Sequence, residues 1–154
     1  MKQEKQYQFI YGAIFLLANK LQLLGDRNQT AVSTKQYFLL VTLQQFRRHI
    51  PSLSELAEFM ACTRQNVKKL ALALAEKGML VLLPDEMDQR VLRVHLTAEG
   101  DDYVSQRTIQ EQVFYEQLFQ NLSDVQISYL ETGLLKMAEN MAKLEFPKEE
   151  ETVK

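Results

Sequence analysis

A cluster of cationic and amide side chains is the first feature of this 154-residue chain that indicates a chemistry. The cluster comprises Thr63, Arg64, Gln65, Asn66, Lys68 and Lys69. No acidic residue follows it until Glu76. Arginine and lysine neutralise phosphates, whereas glutamine and asparagine form hydrogen bonds with base edges in the major groove of DNA. These residue types therefore suit binding to a nucleic acid.

The cluster lies at the predicted start of a helix. Thr63 is a favourable N-cap residue, and Gly78 stands where a helix ends in a left-handed conformation. At about 100° per residue, one narrow face collects the apolar positions Val67, Leu70, Ala71 and Leu74. The opposite face carries Gln65, Lys69, Leu72 and Glu76. The free N–H groups and positive dipole end of such a helix start attract phosphate.

The charge distribution agrees with this interpretation. Residues 1–95 hold 13 Lys and Arg against 8 Asp and Glu, and residues 96–154 hold 5 against 12, within a chain of formal net charge −2. A basic N-terminal part and an acidic C-terminal part indicate that the N-terminal part binds a polyanion. Two alternatives stay open: a solvated helix face, and an acidic tail on a neutral domain.

The neighbouring segments complete a recognisable pattern. Three capping boxes are predicted to open helices, at Ser33 with Gln36, at Ser52 with Glu55 and at Ser123 with Gln126. The helix that begins after Ser52 is short, and a tight turn and then the helix of the cluster follow it. This order is a helix-turn-helix, which presents its second helix to the major groove. Two short β-prone runs follow at residues 80–84 and 90–96, and the polar residues between them suit a hairpin tip. The expected fold is mainly α with a small β-hairpin wing.

Two further helices are predicted at the ends of the chain. Apolar residues recur at helical spacing at Phe9, Ala13, Leu17, Leu21 and Leu24, and again at Ile127, Leu130, Leu134, Met137, Met141 and Leu144. These stripes exceed what a winged helix alone requires, so they could also pack on a partner and form a homodimer. An intrachain bundle is the alternative, because such stripes are often plain core.

One motif gives the chain a family resemblance. The stretch "SLSELAEFMACTRQNVKKLALALAEKGML" followed by "DEMDQRVLRVHLTAEG" resembles the winged helix-turn-helix of the MarR family of bacterial transcriptional regulators. The most specific part is the wing pattern formed by Asp88, Arg90, Val94, Leu96, Thr97 and Gly100. The resemblance covers roughly residues 33–105 by motif, and the flanking helices agree in placement and amphipathic character.

The resemblance implies a division of the chain and a set of contacts. A DNA-binding domain would span 33–97, between a dimerisation helix and loop in 1–32 and dimerisation helices in 98–146, with a flexible tail at 147–154. The cluster from Thr63 to Lys69 would lie on the recognition helix. Arg90 would reach from the wing into a minor groove, and Asp88 would hold the wing and Arg90 in shape.

The chain departs from the family pattern at three places. Gln89 replaces an arginine that is common after the wing aspartate, and Ala61 stands where the turn often has glycine. Leu72 and Ala73 occupy positions that are often polar or basic, so we expect the contacts to concentrate in the first turns of the helix. These changes affect the expected operator sequence and leave the expected fold intact.

The expected function is a homodimeric, sequence-specific regulator of transcription that binds double-stranded DNA at a pseudo-palindromic operator. We expect a repressor that a small molecule or another signal releases. The alternative is a winged-helix protein-interaction module, since Leu72, Ala73 and Ala75 would suit a protein contact. No catalytic constellation, cofactor motif, metal-ligand spacing or membrane-spanning segment is found in the sequence, and the single Cys62 favours a cytoplasmic location.

Overall fold

The structure is a computed structural model that describes residues 2–27, 31–46 and 48–144. Its elements in chain order are α1 (Lys2–Arg27), α2 (Thr34–Gln45), α3 (Leu53–Phe59), α4 (Arg64–Ala75), β1 (Leu80–Pro84), β2 (Leu92–Leu96), α5 (Ala98–Leu118) and α6 (Asp124–Met141). The expected fold class, mainly α with a β-hairpin wing, is confirmed. The predicted tail at 147–154 lies outside the described residues.

Three helices begin with the capping boxes that the sequence predicts. The pairs are Ser33 with Gln36, Ser52 with Glu55 and Ser123 with Gln126. In each pair the serine hydroxyl oxygen accepts a hydrogen bond from the backbone N–H of the second residue, whose side chain accepts one from the serine N–H. By contrast, α1 begins at Lys2, earlier than the apolar spacing that starts at Phe9 indicates. The polar residues before Tyr7 carry no apolar periodicity, so the sequence does not mark this start.

A single buried cluster holds α2, α3, α4 and the hairpin together. Its fully buried large side chains are Leu39, Leu40, Leu53, Leu56, Val67, Leu74, Leu80 and Val94. Each buried leucine or valine contributes roughly 1.5–3 kcal/mol relative to an exposed one. Three of α4's residues, Val67, Ala71 and Leu74, are buried. The core therefore fixes which face of α4 points outward.

The hairpin is joined to the helices as well as to itself. β1 and β2 pair antiparallel, with Leu80 opposite Leu96 and Pro84 opposite Leu92. The N–H of Val94 also donates to the carbonyl oxygen of Pro51 at 2.9 Å. The wing is thereby attached to the segment that immediately precedes α3.

The junction between β1, β2 and α5 is closely packed. The hydroxyl of Thr97 donates to the carbonyl oxygen of Gly78 at 2.7 Å and accepts from the N–H of Gly100 at 3.1 Å. Gly100 is buried, and a Cβ atom there would overlap the carbonyl oxygen of Met79 and come within 2.7 Å of Leu96 Cδ1. Glycine is therefore required by space at this position.

The chain forms two compact units, which divide after Ile109. In the first unit the end of α1 meets the start of α2, where Asp26 Oδ1 accepts from the N–H of Thr34 at 2.7 Å. None of the residues of α1 is buried, and most of its side chains are exposed. In the second unit α6 likewise has no buried residue. Among the described helices, none has a stretch that is both long and apolar enough to pass through a bilayer.

Candidate nucleic-acid interface

The turn between α3 and α4 determines how α4 is presented. Ala61 adopts a left-handed conformation with φ of 49°, and the N–H of Cys62 donates to the carbonyl oxygen of Ala57 at 3.0 Å. Thr63 then caps α4, because its hydroxyl oxygen accepts from the N–H of Asn66 at 3.2 Å. A left-handed alanine is strained, which explains why glycine is common at such turns. The segment is a helix-turn-helix, as the sequence predicts.

The structure brings most of the predicted residues together. A shallow concave surface at the start of α4 is lined by Thr63, Gln65, Asn66, Lys68, Lys69 and Leu72. We call this set the α4 surface. Asn66 is half-buried and the other five are exposed. Arg64 is exposed at the first position of α4 but does not line this surface, and Arg90 lies separately in the loop of the wing.

The cations of this region are available to an external anion. Within residues 2–27, 31–46 and 48–144, no salt bridge or side-chain hydrogen bond involves Arg64, Lys68, Lys69 or the guanidinium of Arg90. Binding a phosphate at these groups would therefore break no internal ion pair. The free N–H groups at the start of α4 add a partial positive charge at the same end.

The wing loop is ordered by two aspartates that bind backbone. Asp85 Oδ1 accepts from the N–H groups of Met87 and Asp88 at 2.9 and 3.1 Å. Asp88 Oδ1 accepts from the N–H of Arg90 at 3.0 Å. Asp88 thus shapes the main chain at Arg90, as expected, and leaves the guanidinium exposed.

A second arginine connects the wing to α3. Arg93 Nε donates to Asp85 Oδ2 at 2.6 Å, and its Nη1 donates to Glu55 Oε2 at 3.0 Å and to the carbonyl oxygen of Ile50 at 3.0 Å. We call this group the Arg93 bridge. Because Asp85 also orders the wing loop, the bridge connects the position of Arg90 to the helix that packs against α4.

Both carboxylates of the bridge favour their charged forms. Backbone and side-chain hydrogen bonds with Ser52, assisted by His49, lower the pKa of Glu55 from 4.5 to about 2. Arg93, followed by the N–H groups of Met87 and Asp88, lowers the pKa of Asp85 below its ordinary value of 3.8. The bridge is therefore ionised at neutral pH.

The lowered pKa of Glu55 predicts an acid-sensitive step in stability. Ionised Glu55 stabilises the fold fully above its unfolded value near 4.5, and this contribution is lost as pH falls through about 2. In the parent, the free energy of unfolding should fall between these two pH values as Glu55 becomes protonated. In Glu55→Gln this fall should be smaller, as measured by urea unfolding at each pH.

The matched control for this experiment removes a carboxylate from the same helix. Glu58 is exposed on α3, and Glu58→Gln makes the same change of charge. An equal flattening of the pH dependence in both variants would contradict a specific contribution from Glu55.

The sequence does not identify the Arg93 bridge. Glu55 is recognised as a capping residue, but its second partner lies 38 positions along the chain. Arg93 alternates with Leu92 and Val94, which predicts only that it points away from the core. From the sequence, one could look only for opposite charges on the hairpin and on the preceding helix. Many pairs that do not touch would meet that description.

Comparisons with known proteins agree with this architecture. No protein-family model matches the chain. It is similar to the HTH-type transcriptional regulator PapX of Escherichia coli, with 25% identity over 87 residues, which are 56% of this chain and 53% of PapX. The matched region thus spans about half the length of that curated relative.

Solved structures match over most of the chain. A MarR transcriptional regulator from Methanosarcina mazei superposes with a TM-score of 0.79 and 23% identity, covering 90% of this chain and 99% of the other. The MepR–DNA complex of S. aureus gives a TM-score of 0.74 and 20% identity, covering 85% and 97%. At these identities the comparison establishes the fold.

Proposed function

From the premise that this chain has the winged helix-turn-helix fold of MarR-type transcriptional regulators, we propose that it regulates transcription by binding double-stranded DNA. The observation that carries the proposal is the α4 surface, in which amide and cationic groups surround the start of a helix whose opposite face is buried. PapX is named as a regulator, and MepR was solved with DNA. These relatives support a regulator rather than an enzyme. We propose a cytoplasmic location because the single Cys62 favours a reducing compartment.

The roles of the predicted residues follow from their placement. Gln65 and Asn66 have the hydrogen-bonding groups that pair with base edges, and Arg64, Lys68 and Lys69 would neutralise phosphates. Arg90 would enter the minor groove, whose negative potential is strongest where it is narrow and rich in A·T pairs. Thr63 holds the first turn of α4 for these contacts.

We further propose that the functional species is a homodimer. The α1 helix exposes large apolar side chains on several sides, namely Tyr7, Phe9, Ile10, Tyr11, Phe15, Leu16, Leu17, Leu21, Leu23 and Leu24. In α6 the exposed set includes Val125, Ile127, Leu130, Leu134 and Leu135. Helices with this much exposed apolar surface are stabilised by a partner, and a second copy supplies it symmetrically. Two copies also give two half-sites, which specificity requires.

Repression and release follow from this arrangement. A dimer bound at a promoter occludes it. A small molecule that wedges between helices would alter the spacing of the two α4 helices, and a duplex cannot follow such a change without a deformation cost. The residues 1–32 and 98–146 would carry dimerisation in this scheme, and 33–97 would carry DNA binding.

The test is selection of bound fragments from random duplex DNA, followed by affinity measurements on the selected sequence. We expect a palindrome and an affinity that falls steeply with salt, with a slope of about −5 if Arg64, Lys68 and Lys69 on each of two protomers contact phosphates. Selection of no sequence, together with no binding to any duplex even at low salt, would instead support a protein-interaction module. Of the three residues that suggest that alternative, Ala73 and Ala75 are half-buried and only Leu72 is exposed.

Variants separate base contacts from phosphate contacts. Gln65→Ala and Asn66→Ala should each relax base preference by about 1–3 kcal/mol, whereas Lys68→Ala should weaken binding to all sequences alike. Arg90→Ala should weaken binding most on sites with A·T-rich flanks. Lys35→Ala, which removes an exposed cation from the start of α2, is the control. Unchanged sequence preference in both amide variants would show that another face binds.

A further inference from the structure

Leu72 is an apolar side chain placed among charged and polar ones. Within α4, all of which the structure describes, it is the large apolar residue that remains exposed, at 47% of its full surface. It lines the α4 surface together with two lysines, two amides and the capping threonine. Such a position needs an explanation, because the other large apolar residues of α4, Val67, Leu70 and Leu74, face or approach the core.

The core does not require a leucine at this position. Val67, Ala71 and Leu74 supply the buried contacts of α4, and Leu70 packs against the same cluster. Leu72 lies on the opposite side. Its side chain therefore contributes little to the fold and is available to a ligand of the α4 surface.

The surroundings of Leu72 restrict the chemistry of that ligand. Lys68 and Lys69 precede it by four and three residues, so both lie about one helical turn away on the same exposed side. An apolar protein partner that covered Leu72 would also strip water from these ammonium groups, which is costly without anions. A ligand that presents an apolar group close to phosphates meets both requirements.

We propose that Leu72 is a specificity-determining residue that contacts the C5-methyl group of a pyrimidine in the major groove. This methyl group is the apolar feature that thymine presents at its major-groove edge, and 5-methylcytosine presents the same group. The inference rests on the proposed function, since it requires that α4 enters the groove. It extends base recognition beyond the first turn and a half of α4.

The position of Leu72 on α4 also limits where its base can lie. Leu72 follows Gln65 by about two helical turns, which is roughly 10 Å along the axis. That length corresponds to about three base-pair steps of B-DNA. The methyl group read by Leu72 should therefore lie within about three base pairs of the base contacted by Gln65.

The test replaces each thymine of the selected duplex, one at a time, with deoxyuridine, which lacks only the methyl group. We expect one or two positions in each half-site to lose about fourfold in affinity, the value for burying one methyl-sized group. In Leu72→Ala the same replacements should cause no loss. If the selected base there is cytosine, methylation at C5 should instead strengthen binding of the parent by a similar factor and leave Leu72→Ala unchanged.

A matched variant guards against a general effect of removing leucine. Leu83 is exposed to a similar extent, 48%, but lies on β1 rather than α4. In Leu83→Ala the ratio of thymine to deoxyuridine affinity should equal that of the parent. Methyl effects that persist in Leu72→Ala would overturn the inference while leaving DNA binding intact. So would a parent whose affinity responds at no position either to deoxyuridine or to methylation of cytosine at C5. Failure of the parent to bind any duplex at low salt would instead overturn the proposed function and, with it, this inference.

Discussion

Gly100→Ala is expected to lower the free energy of unfolding by about 3 kcal/mol, the upper part of the range for overpacking a closed site. The added Cβ would overlap the carbonyl oxygen of Met79, which is backbone and cannot rotate away as a flexible side chain would. The same carbonyl accepts from the N–H of Thr97 at 3.2 Å, so movement of Met79 would also strain the junction of the hairpin with α5.

Urea unfolding of the purified variant measures this effect, with a glycine elsewhere as the control. Gly12 lies inside α1 and has no atom within 4 Å of the position that a Cβ would take. Gly12→Ala should raise stability by up to about 1 kcal/mol, because alanine favours a helix interior. If Gly100→Ala proved as stable as the parent, this would contradict the close packing described at the junction.

Arg93→Met is expected to weaken DNA binding about tenfold, although Arg93 itself is proposed to contact no DNA. The substitution keeps an unbranched side chain in β2 but removes every bond of the Arg93 bridge to Asp85, Glu55 and Ile50. The wing loop would then lose its fixed position relative to α3. Arg90 would have to be ordered at the moment of binding, and the loss should resemble that of one specific contact.

A double-substitution cycle distinguishes positioning from direct contact. If Arg93 acts through Arg90, the variant carrying both Arg90→Ala and Arg93→Met should bind no more weakly than the weaker single variant. His95→Met is the matched control, since His95 lies on the same strand and faces the same side as Arg93. Additive losses from the two arginines, or an equal loss from His95→Met, would contradict a positioning role.

The sequence predicts the local features of this fold well because each depends on neighbours only a few residues away. The capping boxes at Ser33, Ser52 and Ser123 each join residues three positions apart, and all are confirmed. Gly78 has the expected left-handed conformation, with φ of 73°. The buried face of α4 follows from helical periodicity alone, and with it the placement of the exposed amides and cations.

The remaining features depend on contacts between distant segments. Arg93 and Glu55 are brought together because the hairpin is attached to the segment before α3. This attachment includes an isolated antiparallel β-bridge between the backbones of Ser52 and Arg93. The family resemblance gives Arg90 a role, whereas the alternation around Arg93 predicts only that it points away from the core. In the structure the guanidinium of Arg93 is held by two carboxylates and Arg90 is exposed. The structure is therefore needed to give Arg93 a role.

The exposed apolar side chains of α1 have a consequence for how the protein would respond to its own concentration. Since none of α1's residues is buried within its own chain, a partner that covered its apolar side chains would add to the stability of this helix. If a second copy is that partner, as proposed, dilution would destabilise α1 and separate the two α4 helices in one step. Promoter occupancy would then rise with roughly the square of the chain's concentration at low expression, which is a steeper response than a monomer would give.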